Sequence, residues 1–200
     1  MTGMLTLLLV RHASHGLLGR TLAGRMPGVS LSEAGRAEAE RVAALLAGRG
    51  VTRVIASPLE RTRETAAAIA ARAGLSVEVA DEIVEIDCGA WTGADLAKLP
   101  EDPRWHRWNR ERATCRVPGG ETMAEVQARA LGLVARLAAG PGEARVALVT
   151  HSDVVKAVAM AALGLSLDRH DHLTVDPASV TTLHVFGDYM RVVRLNEAAA

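Results

Sequence analysis

Two histidines stand where apolar runs give way to polar turns. His12 follows Arg11 at the end of Met4-Leu5-Thr6-Leu7-Leu8-Leu9-Val10, and His151-Ser152 follows Arg145-Val146-Ala147-Leu148-Val149-Thr150. A third polar set, Ser57-Pro58-Leu59-Glu60-Arg61-Thr62, closes the short run Arg53-Val54-Ile55-Ala56. Neutral imidazole is a nucleophile or an acid–base group near pH 7, and guanidinium holds oxyanions bidentately. A lone histidine at a strand end is usually structural. Two of them with two arginines on one sheet edge would supply a nucleophile and a cationic cradle for a phosphoryl group.

The elements needed to bring these sets together can be read from the pattern. Met4 to Val10 is continuously apolar, as in a central strand covered on both faces. From Ser32 to about Leu46, Gly35, Ala39, Val42, Ala43 and Leu46 recur at helical spacing, with Ser32 as N-cap and Gly48 near the stop. Arg53 to Ser57 is a second short strand stopped by Pro58, and Leu59 to Arg72 a second amphipathic helix ending near Gly74. Val77 to Ala80 suggests another strand. Met123, Val126, Ala130, Val134 and Leu137 stripe a further helix before the strand that ends at Thr150. Val154 to Leu163 is apolar nearly all round and hence buried. Val180 to Phe186 and Met190 to Leu195, joined across Gly187-Asp188, read as a closing hairpin.

Strands alternating with helices predict an α/β fold, a three-layer α/β/α sandwich whose sheet is mainly parallel with one antiparallel strand. One domain is expected over residues 1–200, since a chain of 200 residues buries about 70% of its unfolded surface in a single core. The stretch at about 91–118 breaks the rhythm. It holds Trp91, Trp105, Trp108 and five arginines, Arg104, Arg107, Arg110, Arg112 and Arg116, and predicts a small helical insertion over the carboxyl ends of the strands, where such sheets bind ligands. Those arginines alternate with Glu101, Asp102 and Glu111, which suits a solvated helix; recognition of an anionic substrate tail is the other reading.

Composition excludes several classes. Apolar residues are 49% and charged residues 23% of the chain, ordinary globular usage. Lys plus Arg and Asp plus Glu are 23 each, so no overall field draws the chain to nucleic acid or to an anionic membrane. Nearly all the basic residues are Arg, with Lys at positions 98 and 156, which favours bidentate oxyanion contacts. The apolar opening is too short to span a bilayer and lacks the basic start and cleavage site of a signal peptide, so a cytoplasmic protein is expected. Cys88 and Cys115 have neither CxxC spacing nor scaffold density and read as free thiols. His170-x-His172 is read as structural, and no metal spacing is recognised among the other histidines. A nucleotide-binding module is disfavoured by the lack of GxGxxG or a P-loop.

Taken in order, Leu9-Val10-Arg11-His12, Leu31-Ser32-Glu33-Ala34-Gly35 and Ser57-Pro58-Leu59-Glu60-Arg61-Thr62-Arg63-Glu64-Thr65-Ala66 resemble the histidine phosphatase (phosphoglycerate mutase-like) superfamily. Glu85-Ile86-Asp87-Cys88-Gly89-Ala90-Trp91-Thr92-Gly93 is similar to its acid loop, Pro118-Gly119-Gly120-Glu121-Thr122 to its third helix start, and Val149-Thr150-His151 to its second histidine. Within the family, His151 to Ala157 and Asp176-Pro177-Ala178-Ser179-Val180 look most like short bacterial broad-specificity phosphatases or phosphomutases.

The resemblance implies that His12 attacks phosphorus as a neutral imidazole and forms a phosphohistidine. Arg11, Arg61 and His151 would hold the non-bridging oxygens, and Glu85 would act as general acid and then base. Neither a metal nor another cofactor is then required. Since arginines lower a carboxyl pKa and a phosphate dianion raises it, Glu85 is expected to become a competent acid chiefly once substrate is bound. The family usually carries an Asn shortly after Arg-His that touches the phosphate; here the chain runs Ala13-Ser14-His15-Gly16-Leu17-Leu18, and no Asn occurs before Asn109. Ser14, His15 or backbone N–H groups are the candidate replacements. Gly24 and Arg25 lie where relatives contact substrate, and Ser152 stands where Gly is common.

The implied activity is hydrolysis of a small phosphorylated metabolite by a monomer or homodimer, because the chain lacks the long insertion of glycolytic mutases. A phosphomutase, or a regulatory protein that binds or dephosphorylates phosphohistidine on a partner, are the alternatives.

Overall fold

A computed structural model describes residues 3–199. Its strands are β1 (Leu5–Arg11), β2 (Arg53–Ala56), β3 (Val77–Val79), β4 (Ala144–Thr150), β5 (Val180–Phe186) and β6 (Tyr189–Glu197). Its α-helices are α1 (Glu33–Ala47), α2 (Glu60–Ala73), α3 (Pro103–Arg110), α4 (Met123–Ala138) and α5 (Ser152–Leu163). The sheet order is β3-β2-β4-β1-β5-β6; β1 to β4 run parallel, and β5 is antiparallel to both of its neighbours. One antiparallel strand in a mainly parallel sheet is the arrangement expected from the pattern.

Alternation along the strands builds two cores. Leu8, Val10, Val54, Ala56, Ala147 and Val149 face α1 and α2, where Val42, Leu46 and Ile69 meet them. Leu5, Leu7, Leu9, Ile55, Val146 and Leu148 face the other side with Met123, Val126 and Val134 of α4 and Val154 and Val158 of α5. Burial of β1 and β4 on both faces explains why they are continuous apolar runs rather than alternating ones.

Local signals set the helix ends. The Ser32 side chain accepts the Gly35 N–H at the start of α1, and Thr122 with Glu125 forms a capping box at the start of α4. Gly74 and Gly164 end α2 and α5 in the left-handed conformation. The hairpin turns at Gly187-Asp188, but β6 extends further than expected, to Glu197.

Residues 91–118 form short helical pieces around α3. Trp91, Trp105 and Trp108 pack together, with centroids 5.1–5.6 Å apart, and Trp91 and Trp108 join the α4/α5 core. The arginines divide. Arg104, Arg107, Arg110 and Arg116 are exposed beside Asp102, Glu111 and Glu125. Arg112 is buried, lies 3.4 Å over the Trp108 ring, and faces Asp153 at 3.5 Å. Cys88 is a buried free thiol and Cys115 a half-buried one. Among the described residues no helix is long and apolar enough to cross a membrane.

Candidate active site

Because β1, β2 and β4 are adjacent and parallel, their carboxyl ends share one edge, with Arg11 opposite Thr150 and Ala56 opposite Val149. This register brings His12, Ser57 and His151 together. The His12 N–H donates to the Thr150 carbonyl at 2.8 Å, and the imidazoles of His12 and His151 stand 5.2 Å apart. Arg61 enters from the first turn of α2. It is 1% exposed, a burial that is costly for a guanidinium wherever its donors lack partners.

Hydrogen bonds decide the tautomers. His12 Nδ1 lies 2.8 Å from the Ala13 carbonyl; a carbonyl only accepts, so Nδ1 carries the proton and Nε2 keeps its lone pair. Burial, with Arg61 beside it, holds the His12 pKa well below the usual histidine value, so the ring is neutral at pH 7. His15, 5.3 Å from His12, accepts the Leu17 N–H on Nδ1 at 3.3 Å and must therefore carry its proton on Nε2. Burial, then Arg61 and Arg11, lower its pKa to about 4. His151 Nε2 is 2.8 Å from the Ser57 hydroxyl, and its Nδ1 faces Arg61 Nη2 at 3.3 Å and Glu85 Oε2 at 3.8 Å.

The arginines are only partly used. Arg61 Nη2 donates to the Gly24 carbonyl at 2.7 Å, while its Nε and Nη1 are buried without partners. Arg11 Nη1 donates to the Val175 carbonyl at 2.6 Å, and its Nε is likewise buried and unpartnered. Unpaired buried N–H groups of a cation are costly. Both arginines line a cavity of about 160 Å³ together with His12, His15 and Glu85.

Glu85 sits on a clamped loop. Its Oε1 accepts the Ile86 N–H at 2.9 Å, and its carbonyl accepts from Arg25 at 2.8 Å and Arg129 at 3.2 Å. Glu121 binds both arginines and the Asp87 N–H, so the Pro118-to-Thr122 motif serves to hold the acid loop. Burial, reinforced by the Asp153 carboxylate, lifts Glu85 to about 7. Phosphate was expected to raise it; in the free enzyme burial and the Asp153 carboxylate already act in that direction.

Four candidates do not line the cavity, among them His151, which stands 5.2 Å from His12. Ser14 donates through both its N–H and its hydroxyl to Glu38 of α1, at 2.8 and 3.0 Å, and does not line the cavity. Its carbonyl lies against Gly35, where an added Cβ would come within 1.8 Å of that oxygen; this close approach explains the glycine in a helix. Arg25 is committed to Glu85, Glu121 and, at 3.8 Å, Asp87. Ser152 opens α5 and does not line the cavity. Gly24 and His15 do line it.

Sequence reasoning missed several supports. Ala178, a non-glycine residue at φ +54°, donates its N–H to the Arg11 and His12 carbonyls at 3.1 and 3.3 Å. Such strain costs about 1–2 kcal/mol and fastens the nucleophile's backbone. Thr150 donates its hydroxyl to the Ile83 carbonyl at 2.6 Å, below the acid loop. Arg129 carried no signal beyond its charge, and neither the insertion's Arg pattern nor the His151-to-Ala157 stretch showed that Arg112 and Asp153 face each other. Among the described residues, no group of three or more His, Cys, Asp or Glu side chains could hold a metal ion.

A mainly parallel sheet covered on both faces, with a neutral, tautomer-fixed histidine and two guanidiniums of unused donors at its carboxyl edge, has the parts that phosphoryl transfer through histidine requires. A family model described as the histidine phosphatase superfamily (branch 1) matches residues 7–198. The chain belongs to that superfamily, and by class it is a phosphoric monoester hydrolase.

The chain is similar to phosphoserine phosphatase 1 of Hydrogenobacter thermophilus, 32% identical over 96% of this chain and 92% of that protein. It is 35% identical to a bifunctional protein of Mycobacterium tuberculosis over 94% of this chain, spanning 52% of that relative's length. Among solved structures, the native mycobacterial glucosyl-3-phosphoglycerate phosphatase superposes with a TM-score of 0.87 at 29% identity, covering 98% of this chain and 100% of that one.

Proposed function

We propose that the protein hydrolyses a phosphomonoester of a small metabolite through a phosphohistidine on His12. The observation that carries this reading is the pairing of a neutral His12, its Nε2 lone pair free, with three buried guanidinium nitrogens that have no partner. A phosphoryl group would satisfy Arg11 Nε and Arg61 Nε and Nη1, offsetting the desolvation these cations carry in the free enzyme.

In the first half-reaction, His12 Nε2 forms a bond to phosphorus while the ester P–O bond breaks in line. Glu85, protonated below pH about 7, gives its proton to the departing alkoxide. In the second, Glu85 carboxylate takes a proton from water as the water oxygen displaces His12 from phosphorus, returning the free imidazole and inorganic phosphate.

A guanidinium N–H only donates, so the Arg61 Nη2 contact makes His151 Nδ1 an acceptor and leaves the ring proton on Nε2, donated to the Ser57 hydroxyl. These bonds hold the His151 ring 5.2 Å from His12. His15, whose proton is on Nε2, supplies a neutral donor beside His12 and takes the place of the Asn that relatives carry.

The test is direct trapping. Protein mixed with a phosphomonoester and quenched in base is expected to carry an acid-labile phosphate on the peptide containing His12. His12→Ala is expected to lose both the label and at least about 10⁴-fold in kcat/KM. Full activity of that variant, or a label on another residue, overturns the proposal.

A further inference from the structure

The cavity changes character from its floor to its rim. On the floor His12 is 4% and Arg61 1% exposed, while Leu18 on the rim is 39% exposed. Between them the lining is Thr21, Leu22, Ala23 and Leu96, with Gly19 at the turn. Arg11 and Arg61 are the cations of this lining and Glu85 its carboxylate, and all three are committed to the phosphoryl group and its proton in the reading above.

Nearby arginines are turned to other partners. Arg20 folds back onto the Gly16 carbonyl and its own carbonyl accepts the Leu96 N–H. Arg25 is spent on the acid loop and Arg112 on Asp153 and Trp108.

From this we infer that the enzyme selects phosphomonoesters whose alcohol is uncharged and partly apolar, held against Leu18, Leu22 and Leu96, and discriminates against esters bearing a second anionic group. The inference rests on the phosphatase reading and narrows it to a substrate class. A carboxylate brought to this lining exchanges water for alkyl carbon, and Arg20, the exposed cation of the turn, is folded onto the Gly16 carbonyl and outside the lining, so the exchange is unfavourable. An alkyl or aryl group there removes its own apolar surface and that of Leu18 from water, which is favourable. The thermophile relative's name points to phosphoserine and the mycobacterial one's to a phosphoglycerate derivative. Phosphoserine and 3-phosphoglycerate both carry a carboxylate.

Two measurements on the full chain test it. In turnover, benzyl phosphate is compared with O-phosphoserine and 3-phosphoglycerate; all three release an alkyl alcohol, so leaving-group basicity does not favour benzyl phosphate. Its kcat/KM is expected to be at least about tenfold the higher. Leu18→Arg is expected to narrow that ratio by about tenfold or more, lowering benzyl phosphate and raising 3-phosphoglycerate. In binding, read by calorimetry, benzylphosphonate is expected to bind about tenfold more tightly than 3-phosphonopropionate.

Equal turnover of a carboxylated ester, an unchanged ratio in Leu18→Arg, or equal binding of the two phosphonates overturns the inference. No turnover of any ester together with preferential benzylphosphonate binding would overturn the phosphatase reading and leave the rim's selectivity standing.

Discussion

The floor and the rim of this one cavity are built by different means. The floor hangs from strand ends: His12 on Thr150 and Ala178, and His151 on Ser57. Its cations are buried with unused donors. The rim is the turn at residues 16–24, where Leu18 is exposed, and the turn is tied down chiefly through Gly24 to Arg61 and Leu22 to Ala94. Rigid, desolvated donors suit a charge that changes during reaction; an apolar turn suits a leaving group whose identity must be sorted. On the proposed reading the floor carries the chemistry and the rim the selectivity, so changes on the floor should act on every substrate alike and changes on the rim should act on some.

Arg61→Ala is the sharpest way to break the floor. Loss of two free donors is expected to lower kcat/KM about 10²–10³-fold, equally for benzyl phosphate and 3-phosphoglycerate. Steady-state kinetics on both esters would reveal a substrate-dependent loss, and such a loss would merge floor and rim into one surface.

Glu85→Gln is next, at about 10²-fold or more on an alkyl ester. The sign of the pH effect follows from its raised pKa. The required acid form is present below about pH 7 and is lost above it. The wild-type kcat/KM should therefore fall on the alkaline side of pH 7, and that limb should vanish in Glu85→Gln.

A smaller effect is expected from Asp153→Asn. The Asp153 carboxylate helps to raise Glu85, so its neutralisation should move the alkaline limb to lower pH. An upward shift in the measured profile would assign the raised pKa to another cause. The smallest change is expected at Arg107, exposed and paired with Glu111. Arg107→Ala should leave both the melting temperature and kcat/KM as they are; a specific loss on anionic esters would bring the insertion into substrate recognition.

Much of the floor was legible because its residues sit in runs with strong local meaning. Arg11-His12 and His151 mark strand ends, and Arg61 follows Ser57-Pro58 at the start of a helix. Ser14 and Arg25 are held by protein partners for a shared reason. Position near the nucleophile in sequence does not fix which way a side chain turns, and a carboxylate from α1 or from residue 121 captured each one. The insertion's five arginines looked alike in sequence, yet Arg112 alone among them stacks on Trp108 beneath the surface.

By itself the sequence determined the order of elements, the apolar strands buried on both faces, the helix caps and the residues that could carry phosphoryl chemistry. These depend on periodicity and on neighbours within a few positions. The tertiary structure alone decided the His12 tautomer, the elevated proton affinity of Glu85, the unused donors of Arg11 and Arg61, and the apolar rim. Each of these is a property of desolvation and of partners, such as Asp153 and Glu85, that lie 68 residues apart by number and meet only when the sheet edge is assembled.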